Sequence, residues 1–482
     1  MTSVKEMVEQ HLNSADHLSK KHVHPRMLKM MEMAGMNVAF SRAEGPYFYD
    51  GEGNRYLDLL SGGGVYFIGR HHPEVREAVG AVNEMDIPNL SVINASALGG
   101  LLAGQILELM GPGFSKVQYS NSGSESNEVA LRFARFCTRR RRFLFLKGAF
   151  HGRTYGAISM CGFDEMKEGM DPRMPTCTPI GPNDLDELRY ELSKGDVAAF
   201  FYEACQGMTL TTLEIDYLRE ARRLCDEYGT LLVADEVQTG FARMGGHWFA
   251  FQEAGIVPDM VCLSKTLSGG AAPIAATVIG DHVYNTVFGT FKSGPIYFST
   301  FAENNLSMAA GLATIKVLKD LDAPRRASEI SKKFRDGLFE LQKKHDVIER
   351  IAGKGMMIGI YFKPSENHPL LRAQQTLLSA VDKGTFGASV NVELYRKHNI
   401  IVQIPGPGLN AIKILPPVIL SDDDIQYFLD ALDDVLSEMY KSAGGPAVAL
   451  GRTVIKDAAR TMGRKLSLTG GGDSGKAPAA SS

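Results

Sequence analysis

Two residues in this chain of 482 are placed for chemistry, Lys265 and Asp235. Lys265 stands in Met260-Val-Cys-Leu-Ser-Lys-Thr-Leu-Ser-Gly-Gly270, after a short apolar run and ahead of a glycine pair. An ammonium at the end of a buried strand is partly desolvated, and its proton affinity falls toward neutrality. The amine so freed is a nucleophile that condenses with an aldehyde to a Schiff base. Thirty residues upstream, Leu231-Leu-Val-Ala-Asp235 ends a second apolar run in a carboxylate. A carboxylate there can keep the nitrogen of a heterocycle protonated.

Three further segments put polar or stacking groups after apolar runs. Tyr119-Ser-Asn-Ser-Gly-Ser-Glu-Ser-Asn-Glu128 follows one and opens an amphipathic helix. Ser122, Gly123 and Ser124 there offer hydroxyls and backbone N–H groups to a phosphate. Taken alone, the same residues make an ordinary serine N-cap with a glutamate in the first turn. Phe150-His-Gly-Arg-Thr154 offers an aromatic face with His151 and Arg153 beside it, although a loop aromatic packed under a sheet edge reads the same way. Glu203 ends the run 197–202. In an open α/β sheet ligands bind at the carboxyl edge of the strands, where Ser122, Phe150, Glu203, Asp235 and Lys265 would all gather. A tethering amine, a carboxylate for a ring nitrogen, a phosphate cradle and a stacking ring together suit pyridoxal 5′-phosphate.

The elements that must position these groups are legible as periodicity. Apolar runs at 117–120, 143–146, 157–160, 197–202, 231–235, 260–264 and 275–280 predict the strands of one sheet. Helical segments such as 125–138 and 216–228 separate them, which predicts a mostly parallel sheet covered on both faces. Residues 1–45 read as helical lead-in, and 47–58 as a hairpin turning at Gly51-Glu-Gly-Asn54. Beyond 306 the pattern becomes α+β, with helices at 306–321, 327–345, 389–398 and 424–440 and strands at 348–353, 356–362, 400–403 and 411–415. The expected division is an N-terminal segment joining a small domain (1–95), a large cofactor-binding α/β domain (96–305), a C-terminal small α+β domain (306–443) and a basic, low-complexity tail (444–482).

A net charge of −3, with 44% apolar and 22% charged residues, indicates neither nucleic acid nor an anionic membrane as a partner. No apolar stretch approaches the roughly 20 residues that a bilayer span needs. Six cysteines without C-x-x-C spacing read as reduced thiols, and the polar N-terminus does not read as a signal peptide, so a cytoplasmic protein is expected. His11, His17, His22 and His24 lack a carboxylate or thiolate frame, and no metal site is expected. The run Arg139-Arg-Arg-Arg142 reads as a solvated helix end rather than a nucleic-acid patch.

From about 45 to 440 the chain resembles the class III aminotransferases of the fold type I pyridoxal-phosphate enzymes. The hairpin Tyr49-Asp-Gly-Glu-Gly-Asn-Arg-Tyr-Leu-Asp58, Ser122-Gly-Ser-Glu, Phe150-His-Gly-Arg-Thr and Asp235-Glu-Val-Gln-Thr-Gly-Phe-Ala-Arg-Met-Gly245 are close to the family's pattern. So are Ser264-Lys-Thr-Leu-Ser-Gly-Gly, Ser299-Thr-Phe-Ala-Glu-Asn-Asn and Ile414-Leu-Pro-Pro-Val, in the family's order. The resemblance implies a mostly parallel seven-stranded α/β sheet sandwiched by helices, with a smaller α+β domain formed by the N-terminal and C-terminal segments. It implies that Lys265 forms the Schiff base with pyridoxal phosphate, Asp235 pairs with the ring nitrogen and Gln238 reaches the phenolic oxygen. Val237 and Phe150 would pack on the two ring faces, with His151 and Glu203 among the cofactor contacts. Gly123 and Ser124 would hold the phosphate, joined by Thr300 of a neighbouring subunit, which makes a homodimer part of the site.

The chain also departs from the family. Many members carry Glu-Pro-x-Gln-Gly-Glu after the fourth strand, where this chain has Glu203-Ala-Cys-Gln-Gly-Met208. Ornithine-type members carry an arginine before Pro-Pro for the substrate α-carboxylate, and here Lys413 stands in its place, a poorer bidentate clamp. Arg153, held by Glu203, is the expected carboxylate contact. With Tyr66, Phe67 and Met208 near the expected entrance, a more apolar pocket follows. It suits an ω-type transaminase acting on a primary amine, diamine or ω-amino substrate and an aldehyde or ketone, long-chain or from secondary metabolism. The same lysine–aspartate core serves aminomutases, racemases and decarboxylases. A non-catalytic homologue recruited through its tail is the remaining alternative. In that tail Leu450, Val454, Ala458 and Met462 recur at every fourth position among basic residues, an amphipathic helix expected to dock on its own protein rather than on a membrane or partner.

Overall fold

The computed structural model describes residues 2–12, 15–90, 95–290, 296–380 and 382–441. The tail reading at 444–482 lies outside the described residues. A central seven-stranded sheet runs in the spatial order Lys116–Ser120, Ala275–Ile279, Met260–Leu263, Leu231–Asp235, Val197–Tyr202, Arg142–Leu146, Cys177–Ile180. Ala275–Ile279 is antiparallel to both of its neighbours, and the other pairings are parallel. Two reversals restore the direction of Lys116–Ser120, so its carboxyl end lies on the same sheet edge as those of the five parallel strands. Met260–Leu263, Val197–Tyr202 and Ala275–Ile279 are buried throughout, as strands covered on both faces must be.

One predicted strand is corrected. Residues 157–159 lie in the short helix Tyr155–Ser159 with Met160 following as its C-cap, and the missing strand is Cys177–Ile180 at the sheet edge. Ala157 and Ile158 are as buried as strand residues, and a short apolar run carries no period that separates helix from strand. Cys177–Ile180 is half-buried and contains Pro179, which only an edge position tolerates because proline has no N–H for a ladder.

Helix ends are fixed by local chemistry. Gly123–Thr138 is capped by Ser122, whose hydroxyl accepts from Glu125 N, and ends at the left-handed Arg139 (φ 59°). The arginine run is only in part a solvated helix end: Arg139 and Arg141 are exposed, while Arg140 and Arg142 are engaged. Arg140 Nη1 lies 2.8–3.1 Å from the carbonyls of Tyr228, Gly229 and Val197, closing the helix Ile215–Tyr228 against the sheet. Arg142 pairs with Glu191 and Asp196.

Beside the central sheet, segments that precede and follow it in the chain meet. Phe40–Glu44, Tyr47–Asp50 and Arg55–Asp58 form an antiparallel meander, and Ile400–Ile401 adds to it in parallel beside Leu57 and Asp58. The expected hairpin is present, and the strand Phe40–Glu44 extends it where helical lead-in was expected. Ile348–Lys354, Met357–Phe362 and Ala411–Ile414 form a three-stranded antiparallel sheet. It is flanked by Ala323–Lys344 and Asp422–Lys441, whose apolar faces meet at Phe334 and Phe428, ring centroids 5.9 Å apart. A helix at Pro369–Ser379 has no counterpart in the sequence reading. The six cysteines are free. Among the described residues no helix is long and apolar enough to cross a membrane.

Candidate active site

Asp235 is the last residue of its strand and only 5% exposed. Its Oδ2 accepts from His151 Nδ1 at 2.7 Å and from Asn127 Nδ2 at 2.9 Å, and its Oδ1 accepts from Val237 N at 3.0 Å. Burial alone would strip His151 of its second proton, but the hydrogen bond to Asp235 and the charges of Asp235 and Glu203 outweigh it and raise its pKa. The two form a buried hydrogen-bonded pair, and His151 Nε2 has no partner among the described residues.

Lys265 follows Ser264 directly after the Met260–Leu263 strand and takes a left-handed backbone, φ 45°. Such a conformation costs a non-glycine residue of order 1–3 kcal/mol, and it turns the lysine off the sheet edge into a single turn, Lys265–Ser268. Burial lowers the pKa of its amine; the charges of Asp235 and Glu203 oppose this and that of Arg243 adds to it. The amine has no hydrogen-bond or ion-pair partner among the described residues.

The N-terminus of Gly123–Thr138 presents the N–H groups of Gly123 and Ser124 with no backbone acceptor among the described residues. Gly123 is required by close approach: a Cβ there would stand 2.8 Å from Val237 Cγ1. Ser122 Oγ is occupied as the helix cap, and Ser124 Oγ accepts from Arg153 N at 3.1 Å. Unsatisfied N–H groups at the start of a long helix fit a phosphate. Unpartnered buried atoms nearby, Gln238 Oε1, Asn127 Oδ1 and His151 Nε2, fit further polar contacts of a bound heterocycle.

A turn from the N-terminal region closes over Lys265. Ser61, Gly62, Gly63 and Gly64 all have positive φ, 50° to 95°. The Gly63 carbonyl accepts from Gln238 Nε2 at 2.9 Å, and the Gly64 carbonyl from Arg243 Nη2 at 2.9 Å and Thr266 Oγ1 at 3.2 Å. Gln238 thus keeps one amide hydrogen free. Tyr66 follows, half-buried, under the Arg70 guanidinium at 3.9 Å from the ring centre and hard against Gly270.

Several expectations are corrected here. Phe67 does not face an entrance: it is fully buried, with the Arg243 guanidinium 4.0 Å from its ring centre. Glu203 does not hold Arg153. Its carboxylate accepts from Phe150 N at 3.0 Å and Gly207 N at 2.7 Å, while Arg153 is exposed, 5.7 Å from the Phe150 ring centre. Burial raises the pKa of Glu203, with His151 opposing and Asp235 adding to the rise. Lys413 is 3% exposed and donates to the Gly207 carbonyl at 2.7 Å. Burial and the charge of Lys265 push it down to about 7, against Glu203. Thr300 is exposed in a separate cleft of about 230 Å³ with Tyr119, Ser299 and Glu303, and no hydrogen bond among the described residues joins it to the Lys265 cluster.

The structure brings Lys265, Asp235, His151, Glu203 and Lys413 within electrostatic reach of one another. Sequence reasoning missed Asn127, Thr266, Arg243 and the Ser61–Gly64 turn. The signals were present: Asn127 is a polar residue on the helix face that carries Ala130 and Leu131, and Ser-Gly-Gly-Gly is a run that favours positive φ.

The solved ornithine aminotransferase of Toxoplasma gondii superposes with a TM-score of 0.78 at 24% identity, over 91% of this chain and 99% of that one. An amine transaminase from an uncultivated Pseudomonas species, solved in its PLP-bound form, gives 0.74 at 24% identity, over 83% and 95%. The architecture is therefore the fold type I α/β fold of pyridoxal-phosphate transaminases. Residues 30–436 match the family model for class-III aminotransferases. The acetylornithine aminotransferase of Caldanaerobacter subterraneus subsp. tengcongensis is 32% identical over 421 residues, covering 83% of this chain and 95% of that protein. The chain belongs to the class III aminotransferase family. It is a pyridoxal-phosphate-dependent aminotransferase, exchanging amino groups between small-molecule amines and carbonyl compounds.

Proposed function

We propose that the chain is an ω-type transaminase whose donor is a primary amine, diamine or ω-amino compound and whose acceptor is an aldehyde or ketone. The observation that carries this reading is the state of Lys413. Lys413, within electrostatic reach of Glu203, spends its hydrogen bond on the Gly207 carbonyl, and the next residue is Met208 instead of a carboxylate. A site built around a fixed substrate carboxylate needs a bidentate, permanently charged clamp, which Lys413 near neutrality does not offer.

Lys265 would hold the cofactor, Asp235 its ring nitrogen and Gln238, through the free amide hydrogen, its phenolic oxygen. Val237 and Phe150 would flank the ring, with Gly123 and Ser124 N–H groups on the phosphate. When bound, pyridoxal phosphate supplies an aldehyde to carry the amino group and a ring that withdraws electrons from the substrate's amine-bearing carbon. Asp235, fixed by His151 and Asn127, keeps a negative charge at the sheet edge. Lys265 Nζ, whose proton affinity burial lowers, takes a proton from the amine-bearing carbon and holds it for delivery to another carbon rather than back to the first. Tyr66 and the Ser61–Gly64 turn restrict water at that amine.

Thr300, exposed and away from this cluster, suits contact with the phosphate site of a second copy, which makes a homodimer part of the reading. Six free cysteines suit a reducing cytosol. A panel of amines, diamines and α-amino acids against aldehyde and keto-acid acceptors tests the substrate class; turnover confined to α-amino acids and keto acids would overturn it. Borohydride treatment and peptide mass mapping test the anchor separately, with a cofactor adduct expected on Lys265.

A further inference from the structure

Arg243 is the largest fully buried side chain among the described residues, and no acidic group pairs with it there. The chain reaches it through two left-handed residues, Phe241 (φ 56°) and Ala242 (φ 67°), which turn its side chain inward. Nη1 donates to the Pro416 carbonyl at 2.8 Å, Nη2 to the Gly64 carbonyl at 2.9 Å, and Nε has no partner among the described residues. The guanidinium rests on the Phe67 ring. A buried cation normally finds a carboxylate, because its desolvation costs several kcal/mol. Here two carbonyl dipoles and an aromatic face take that place, and they leave most of the charge uncompensated.

We propose that Arg243 is a positioning residue for the transamination, holding the Ser61–Gly64 turn against Thr266 and Gln238 and setting an unpaired positive charge beside the Lys265 amine. The geometry gives one side chain both tasks. Gly64 is the shared acceptor of Arg243 and Thr266, the residue after the reactive lysine, and the neighbouring Gly63 accepts from Gln238. Pro416 anchors the other arm of the fork in the C-terminal region. The charges facing Lys265 are Asp235 and Glu203, which favour its ammonium, and Arg243, which disfavours it; Lys413 interacts with it from the Ala411–Ile414 strand. Burial lowers the proton affinity of Arg243 only to about 9, so the guanidinium stays charged at neutral pH. Without Arg243, the two buried carboxylates would act on the amine with one opposing positive charge fewer. The amine would keep its proton to higher pH, and fewer molecules would present a free base.

The proposal rests on Lys265 being the reactive amine, which the borohydride adduct tests independently. Its own test is competitive acetylation of the full-length, cofactor-free chain with acetic anhydride across pH, read peptide by peptide by mass spectrometry so that Lys265 and Lys413 are separated. In the wild type the Lys265 midpoint should lie at least one pH unit below that of exposed lysines such as Lys332. In Arg243→Met it should rise by half a unit or more. In Arg243→Lys, which keeps the charge but not the fork, the midpoint should stay low while protease cleavage within residues 61–66 quickens severalfold. A wild-type Lys265 that titrates like Lys332 overturns the proposal without recourse to any variant. So does a folded Arg243→Met with an unchanged midpoint.

Discussion

His151 donates from Nδ1 to Asp235 Oδ2 at 2.7 Å, with both side chains buried. The histidine comes from the loop after one strand and the carboxylate from the end of another two positions away in the sheet. The pair locks the Asp235 carboxylate in orientation, and the hydrogen bond favours the protonated imidazole beside it. Asn127, from the helix that opens at Gly123, adds a third element to the same carboxylate.

Asp235→Asn removes the negative charge while keeping the shape. The expected result is a fall in kcat of roughly 10²–10³-fold, the size seen when one preorganised electrostatic partner is lost. Single-turnover kinetics measures it, with thermal unfolding as the control for fold. Activity within a few-fold of wild type would remove Asp235 from the mechanism.

Lys413→Met bears on the buried amine. The pKa of Lys413 falls from 10.5 to about 7 on folding, so between those values the unfolded chain binds the extra proton and stability rises with pH. The stabilisation linked to its neutral form is complete above 10.5 and is lost as pH drops through 7. The variant should therefore be more stable than wild type at pH 6, by roughly 1–4 kcal/mol, with the gain shrinking toward pH 10. Denaturant midpoints across pH decide this, and a gain that grows with pH contradicts it.

Lys413→Arg addresses specificity. If the native site lacks a carboxylate clamp, a guanidinium there should raise kcat/KM for α-amino acid donors relative to simple amines by about tenfold. An unchanged ratio in a folded variant would mean that position 413 does not meet the substrate.

Gly270→Ala should be harmful out of proportion to its size. A Cβ would fall 2.1 Å from Tyr66 Cε1, and Gly270 has φ 82°. A loss of about 1–3 kcal/mol is expected, with KM affected through the displaced ring. Arg140→Ala provides the contrast: its three carbonyl contacts lie away from the site, so stability should fall by about 1.5–3 kcal/mol with kcat retained. Calorimetry and steady-state kinetics on both variants separate the two effects.

Much of this site was legible because its residues sit at strand ends, where an apolar run stops at a polar side chain. Lys265, Asp235 and Glu203 each carry that local mark. What escaped depends on contacts between distant segments. The inward turn of Arg243 is set by two left-handed residues that look ordinary in sequence, and Phe67 lies in the core with that guanidinium on its ring. Glu203 was read as a partner for Arg153, yet its oxygens are taken by two backbone N–H groups, which no side-chain pattern announces. The swap of strand for helix at Ala157 and Ile158 has the same origin, since Cys177–Ile180 pairs as an edge strand only once Arg142–Leu146 is in place.

The parallel pairing of Ile400–Ile401 with Leu57 and Asp58, and the Arg243 fork on Pro416, have a consequence for biogenesis. During translation Lys265 and Asp235 emerge from the ribosome well before the segment that fastens the Ser61–Gly64 turn above them. The turn at Ser61–Gly64 therefore cannot be fastened through the Arg243 fork before Pro416 has been synthesised.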